Sequence, residues 1–305
     1  MEQKILINKL PARTWNRLGV NGTEISFNPA APELPFENIT ETGVTRRVSV
    51  TNAGAENIKR VNITVADGET MTVVEEFEPT GKLAVETTIS VGEGAKLNLI
   101  QLNLTGENTL LFTDTKGAVA KNGQFGLTEI SLGHGDVYSD CHVDLSGDRS
   151  FFGADIGYFA EKDMTLDMNL VVNQTAKNTE SRIDASGALR DRAKKIFRGT
   201  IDFRKGASGS VGNEKENVLM LGDDVVNKTV PLILCAEENV VGNHGATIGE
   251  PDADTLFYFA SRGIDKEKAE NILARASIER LARLSGDAAT EEKIQKKLDE
   301  VLPDA

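Results

Sequence analysis

Between about residue 44 and residue 250, apolar and polar side chains alternate in short runs, and each run stops at a turn residue. Val48 and Val50 stand two apart, as do Val61, Ile63 and Val65, with Asn62 and Thr64 between them. Leu97, Leu99 and Gln101 share one face, and Asn98, Ile100 and Leu102 the other. Further runs occupy 109–113, 126–132, 137–145, 166–172, 197–203 and 230–234. Asp67-Gly68, Gly92-Glu93-Gly94, Asn122-Gly123, 133–136, Gly147-Asp148 and 206–212 separate them. A two-residue period bounded by such residues predicts strands, because successive side chains in a strand point to opposite faces. Runs every roughly 10–12 residues suit a sandwich, a barrel or a solenoid. No strict repeat is visible, so periodicity does not choose among them.

The flanks differ from this body. Residues 1–43 hold Pro11, Pro29, Pro32 and Pro35, half of the 8 prolines. They read as an irregular lead-in, packed on the body through Trp15 and Phe36, with one short strand near 24–27. After Pro251 the pattern becomes helical, and 251–305 forms a third region after the 44–250 core. A first helix is expected over 252–262, stopped by Gly263. Asp265 can cap a second, with Ala269, Ile272, Leu273, Ala276, Leu281 and Leu284 at helical spacing. A third is expected to start at Thr290, where Glu291 and Glu292 suit the positive end of the helix dipole, with Ile294, Leu298, Val301 and Leu302 on one face.

Composition excludes several functions. The 305-residue chain carries 47 acidic against 34 basic residues, a net charge of -13. That argues against a nucleic-acid binder or a protein docked on anionic lipid. Its 2 cysteines, Cys141 and Cys235, make no disulfide framework, and a reducing cytoplasm is the expected location. Residues 1–10 carry no signal-peptide pattern, and no apolar run reaches the length of a membrane span. Gly81-Lys82 is followed by Leu83 and lacks the rest of a phosphate loop, so ATP hydrolysis is not expected.

Few residues invite chemistry. Cys141 and His142 are adjacent on a predicted strand and point apart, so with His134 they are not expected to hold one ion. Cys235 ends an apolar strand and reads as a small buried hydrophobe. Arg182, Arg190, Arg192, Lys194, Lys195, Arg198, Arg204 and Lys205 read as a solvated face, since Asp184, Asp191 and Asp202 interleave them. Asp155, Asp163 and Asp167 would be the carboxylates of a polysaccharide lyase or hydrolase, but their spacing is not specific. Leu256, Phe257, Tyr258 and Phe259 form an aromatic block suited to packing a helix on the body.

One stretch carries a resemblance. Residues 242–264 contain His244-Gly245-Ala246-Thr247, then Leu256-Phe257-Tyr258, then Ser261-Arg262-Gly263-Ile264. Their order and spacing resemble the C-terminal signature of the SufB/SufD family of the SUF iron–sulfur cluster assembly system. Upstream, Phe197-Arg198-Gly199-Thr200-Ile201, Val218 to Leu221 and Pro231-Leu232-Ile233 are similar to further family segments. The resemblance implies a right-handed parallel β-helix with a C-terminal helical segment. It implies a non-catalytic, SufD-like subunit that pairs through its β-helix with a SufB-like subunit or itself. The C-terminal helices would dock a SufC-type ABC ATPase through Leu256, Phe257, Tyr258, Arg262, Gly263 and Ile264. His244 stands at the family's histidine, implicated in the cluster and apt as an iron ligand. Gly242 and Val225 stand where family members carry cysteine, and thiolates are the usual cluster ligands. A cluster is therefore expected only transiently, within a complex, and none on the chain alone. A homodimeric cluster scaffold is the alternative.

Overall fold

The structure, a computed structural model, describes residues 3–14, 16–51 and 54–303. Trp15 lies outside the described residues. The lead-in forms two antiparallel strands, β1 (Gln3–Ile7) and β2 (Thr23–Phe27), before the body begins. Only the second was expected. The body then runs β3 (Glu37–Ile39), β4 (Thr45–Val50), β5 (Glu56–Val65), β6 (Thr70–Phe77), β7 (Lys82–Val91), β8 (Lys96–Thr105), β9 (Leu110–Val119) and β10 (Gln124–Gly133). It continues through β11 (Asp136–Leu145), β12 (Phe151–Ala160), β13 (Thr165–Gln174), β14 (Glu180–Arg190), β15 (Lys194–Phe203), β16 (Val211–Leu221), β17 (Val226–Cys235) and β18 (Val241–Gly249).

Each strand pairs with the next but one, always in parallel, so the chain winds as a solenoid. The even-numbered strands β4–β18 make one 8-stranded sheet and the odd-numbered strands β3–β17 the other. Glu37 pairs with Val61 and Lys194 with Val226, so one coil takes between 24 and 32 residues. That drift is why no strict repeat shows in the sequence. One corner repeats in the six coils from β5–β6 to β15–β16: Gly68, Gly94, Asn122, Arg149, Asn178 and Gly209 all take positive φ. Each donates its N–H to the next coil, as in Gly94 N to Lys121 O at 2.9 Å and Asn122 N to Asp148 O at 3.0 Å. Glycine and asparagine reach the left-handed region at least cost, which places them here.

Alternation sorts the side chains. Inward residues such as Val73, Leu99, Leu127, Leu170 and Phe197 fill one core between the sheets. Outward Val74, Ile100, Leu102, Ile130 and Phe159 would lie bare, but helices α2 (Lys266–Leu284) and α3 (Ala288–Val301) cover them through Ile278, Leu281, Ile294 and Leu298. Asp265 caps α2, accepting from Lys268 N at 2.9 Å. Helix α3 starts before the expected Thr290, because Asp287 is its cap and accepts from Thr290 N at 2.8 Å. On the odd sheet, Ile7, Ile25 and Phe27 of the hairpin cover Ile58, Ala84 and Tyr138. Phe36, expected to pack on the body, is exposed.

The basic stretch is a solvated face only in part: Arg192, Lys194, Arg204 and Lys205 are exposed, but two of its members are not. Lys195 and Arg198 are 0% exposed. Arg198 binds the equally buried Asp167 and donates to Val20 O at 2.6 Å, while Asn8 donates to Asp167 Oδ1 at 2.6 Å. This buried ion pair clamps the lead-in to the odd sheet. Lys195 points into the core and binds Glu216. Removing one partner of such a pair leaves a stranded charge and costs about 3–5 kcal/mol.

Inside the solenoid, Glu75 accepts from Thr87 at 2.8 Å and Gln101 at 2.7 Å, and Glu129 accepts from Asn103 at 3.1 Å. Burial pushes the Glu129 carboxyl up from 4.5 to about 7. An acid whose folded value lies above its unfolded one favours folding while protonated in both states and loses that advantage as pH rises. Stability is therefore expected to fall between pH 4.5 and 7, by about 3 kcal/mol from this group, and to level off above. Glu129→Gln should flatten that part of the profile in urea melts from pH 5 to 8. An unchanged slope would refute the assignment.

Candidate functional site

The two ends of the solenoid are built differently. At the first coil the edge strands are short, 3 residues in β3 and 6 in β4. Pro32 and Leu34 of the lead-in bond Ile58 there, at 3.0 and 2.7 Å. Short strands and covered edges prevent pairing with another chain. At the last coil, β17 and β18 are 10 and 9 residues long. Every residue of β18 is exposed, and no described strand pairs with its outer edge or that of β17. Full-length strands with free N–H and C=O groups are a template for further pairing.

Register places the side chains of this end. Gly242, His244, Ala246 and Ile248 of β18 stack on Gly212, Glu214, Glu216 and Val218 of β16, which are buried inward positions. His244 thus belongs to the row that faces the core in the coil below, and is solvent-exposed because no described strand stacks above it. Cys235 ends β17, stacked on the inward Phe203. It is exposed, not buried as expected, because the last coil has no lid; its Sγ donates to Glu237 O at 3.0 Å. Gly242 lies close to the core, since an added Cβ would stand 3.0 Å from Phe203 and 3.1 Å from Ile233. Val225 is half-buried against the main core. Val225 is thus packed, whereas Gly242 is exposed above core side chains that an added Cβ would meet.

Glu214 was not singled out from the sequence. It is 5% exposed, and burial pushes its carboxyl up to about 8, with the neighbouring Glu216 adding to the shift. An added Cβ on Gly199 would stand 2.4 Å from its Oε1, so the glycine opposite makes room for the carboxyl. The only signal was its place in the inward alternation Gly212-Glu214-Glu216-Val218.

Beyond β18 comes helix α1 (Ala253–Ser261), capped by Asp252, which accepts from Thr255 N at 2.8 Å. Gly263 at φ +76° ends it, as expected. No residue of α1 is buried. Phe257 is 75% and Tyr258 57% exposed, and Arg262 lies over the Tyr258 ring at 5.3 Å. Leu256 and Ile264 are half-buried. The aromatic block therefore does not serve chiefly to pack α1 on the body.

The other candidates do not assemble. His134 pairs with Glu161 at 3.3 Å, His142 with Asp140 at 2.9 Å, and Cys141 is buried among core residues. Among the described residues, no group of three or more His, Cys, Asp or Glu is arranged to hold a metal. Asp155 binds Arg182 at 2.6 Å, Asp163 binds Arg192 at 2.7 Å, and Asp167 lies under the lead-in. They share no groove. Among the described residues no helix is long and apolar enough to cross a membrane.

The family described as SUF system FeS cluster assembly, SufBD core domain, matches residues 48–277. The iron–sulfur cluster assembly protein SufD of Bacillus subtilis is 28% identical over 221 residues, covering 70% of this chain and 50% of that protein. SufD of Escherichia coli is 23% identical over 248 residues, covering 80% of this chain and 59% of that protein. A SufBD family protein of Staphylococcus epidermidis is 29% identical over 121 residues, covering 40% and 26%. The chain spans about half the length of the two SufD proteins.

Thiol titration checks the open end. Native protein should yield one fast-reacting thiol per chain, Cys235, and two in denaturant. Two fast thiols, or none, would contradict the exposure of Cys235 and the burial of Cys141.

Proposed function

We propose a function from one premise: the chain belongs to the SufBD core family of SUF-system iron–sulfur cluster assembly proteins. It works as a non-catalytic, SufD-like subunit of an assembly complex. Its uncapped last coil pairs with the corresponding coil of a SufB-like subunit or of a second copy. Helix α1 docks a SufC-type ATPase through Leu256, Phe257, Tyr258, Arg262, Gly263 and Ile264. The observation that carries this is the contrast between a closed first coil and an open last coil followed directly by a helix with no buried residue.

The physics supports each contact. Pairing at β17 and β18 would satisfy strand edges left free in the single chain and bury Val241 and Ile248, which are exposed here. Exposed aromatics beside an arginine are the composition of interface anchors. His244, at the mouth of the open end, offers a ring nitrogen to iron or a cluster shared across that junction. The chain's own inward residues there include no thiolate except that of Cys235 at the strand end. A cluster would therefore need ligands from the partner, and it is cargo of the complex rather than a resident group.

Phe257→Asp with Ile264→Asp should leave the fold intact and weaken capture of a SufC-type ATPase by at least tenfold, since truncating an interface anchor costs about 2 kcal/mol or more. Normal co-purification would remove α1 from the docking surface. His244→Ala should keep the melting temperature and lower cluster output of the full complex. Undiminished transfer to an apo-ferredoxin would remove His244 from the site.

A further inference from the structure

Glu214 is a buried acid without a full set of partners. Its Oε2 is fully buried and has no hydrogen-bond partner. An unpaired buried carboxyl costs several kcal/mol, and such groups in native proteins call for an explanation. The neighbours that register and packing assign to it are few. Gly212 and Glu216 flank it along β16, Ile183 lies below it and His244 above it, and Gly199 faces it across the core. Glu216 is already committed to Lys195 and Thr229. Of these side chains, only His244 carries an uncommitted N–H donor. The two sit at paired positions of adjacent parallel strands, about 4.8 Å apart along the stack. His244 is exposed, with no neighbour above it to hold its ring outward.

We propose that Glu214 is a positioning residue for His244: its buried carboxyl accepts one ring N–H when the imidazole turns inward, and so holds the other ring nitrogen, with its lone pair, toward the open end of the solenoid. The inference rests on the reading of His244 as the functional group of that end. Carboxylates in this relation to a histidine fix its tautomer and orient the free nitrogen toward a metal or an acidic hydrogen. Gly199 is then explained as well, because any side chain there would displace the carboxyl that does the holding. A fixed ring needs no reorganisation when the end is closed by another subunit, whereas a free one must be ordered.

The test uses the full chain, labelled with nitrogen-15. His244 is one of only 3 histidines, so its ring signals are assigned by their loss in His244→Ala. The expected result is a ring N–H proton of His244 that exchanges with water at least tenfold more slowly than in Glu214→Leu. Glu214→Gln, whose amide oxygen still accepts, should keep the slow exchange. Glu214→Leu should still fold, because leucine fills the buried position without a polar group and the His244 ring it releases can be solvated at the open end. Fast exchange in the unaltered chain, or slow exchange that survives in folded Glu214→Leu, would overturn the proposal. The readout needs neither partner nor iron, so it fails or stands separately from the assembly activity.

Discussion

Everything in this molecule depends on parallel, in-register backbone hydrogen bonding between successive coils. A single coil has no core of its own; it acquires one only when stacked, so each coil is stabilised by its neighbours. The positive-φ corner at Gly68, Gly94, Asn122, Arg149 and Asn178 locks the stacking, because each such residue passes a hydrogen bond to the next coil. A stack of this kind necessarily has two ends, and its chemistry is decided by how they are finished. The first is closed by short strands and a proline-rich lead-in, while the last presents two long strands with bare edges.

The outer faces show the same economy of means. The even sheet carries outward apolar residues where α2 and α3 lie, at Val74, Ile100, Leu102 and Ile130. The odd sheet is covered by the lead-in hairpin, and there the apolar contact is supplemented by the buried Arg198–Asp167 pair with Asn8. Such a pair adds little net stability but penalises any arrangement that separates its members. Helix α1 stands apart from both schemes, with its aromatic residues in solvent. Cover on two faces and bareness at one end and one helix divide the surface into parts packed within the chain and parts left in solvent.

Much of this was legible beforehand, and the failures have common causes. The alternation at Val61 to Val65 and Leu97 to Leu102 gave strands that the structure contains, and the facing sets Leu97/Leu99 and Asn98/Ile100 lie on opposite faces as read. Strands such as β12 and β14 went unmarked, because Gly153, Gly157 and Gly187 interrupt their apolar pattern. Those glycines exist for close packing, against Phe151, Leu281 and Tyr158, which are distant contacts or ring placements with no local signature. Lys195 and Arg198 were misread for a related reason: a charge interleaved with carboxylates resembles a solvated face unless its neighbours across the sheet are known.

By itself the sequence determined the local elements: strands from the two-residue alternation, corners from glycine and asparagine, and helices α1 and α2 from Asp252, Asp265 and Gly263. It also carried the signature at His244 to Ile264 that resembles its family. Only the tertiary structure decided that Cys235 is exposed, that Arg198 is buried, and that Glu214 lies unpaired beneath His244. Local elements follow from torsion angles and hydrogen bonds within a few residues. Burial and partnership depend on what stacks above and below, some thirty residues away, and at the last coil nothing described does.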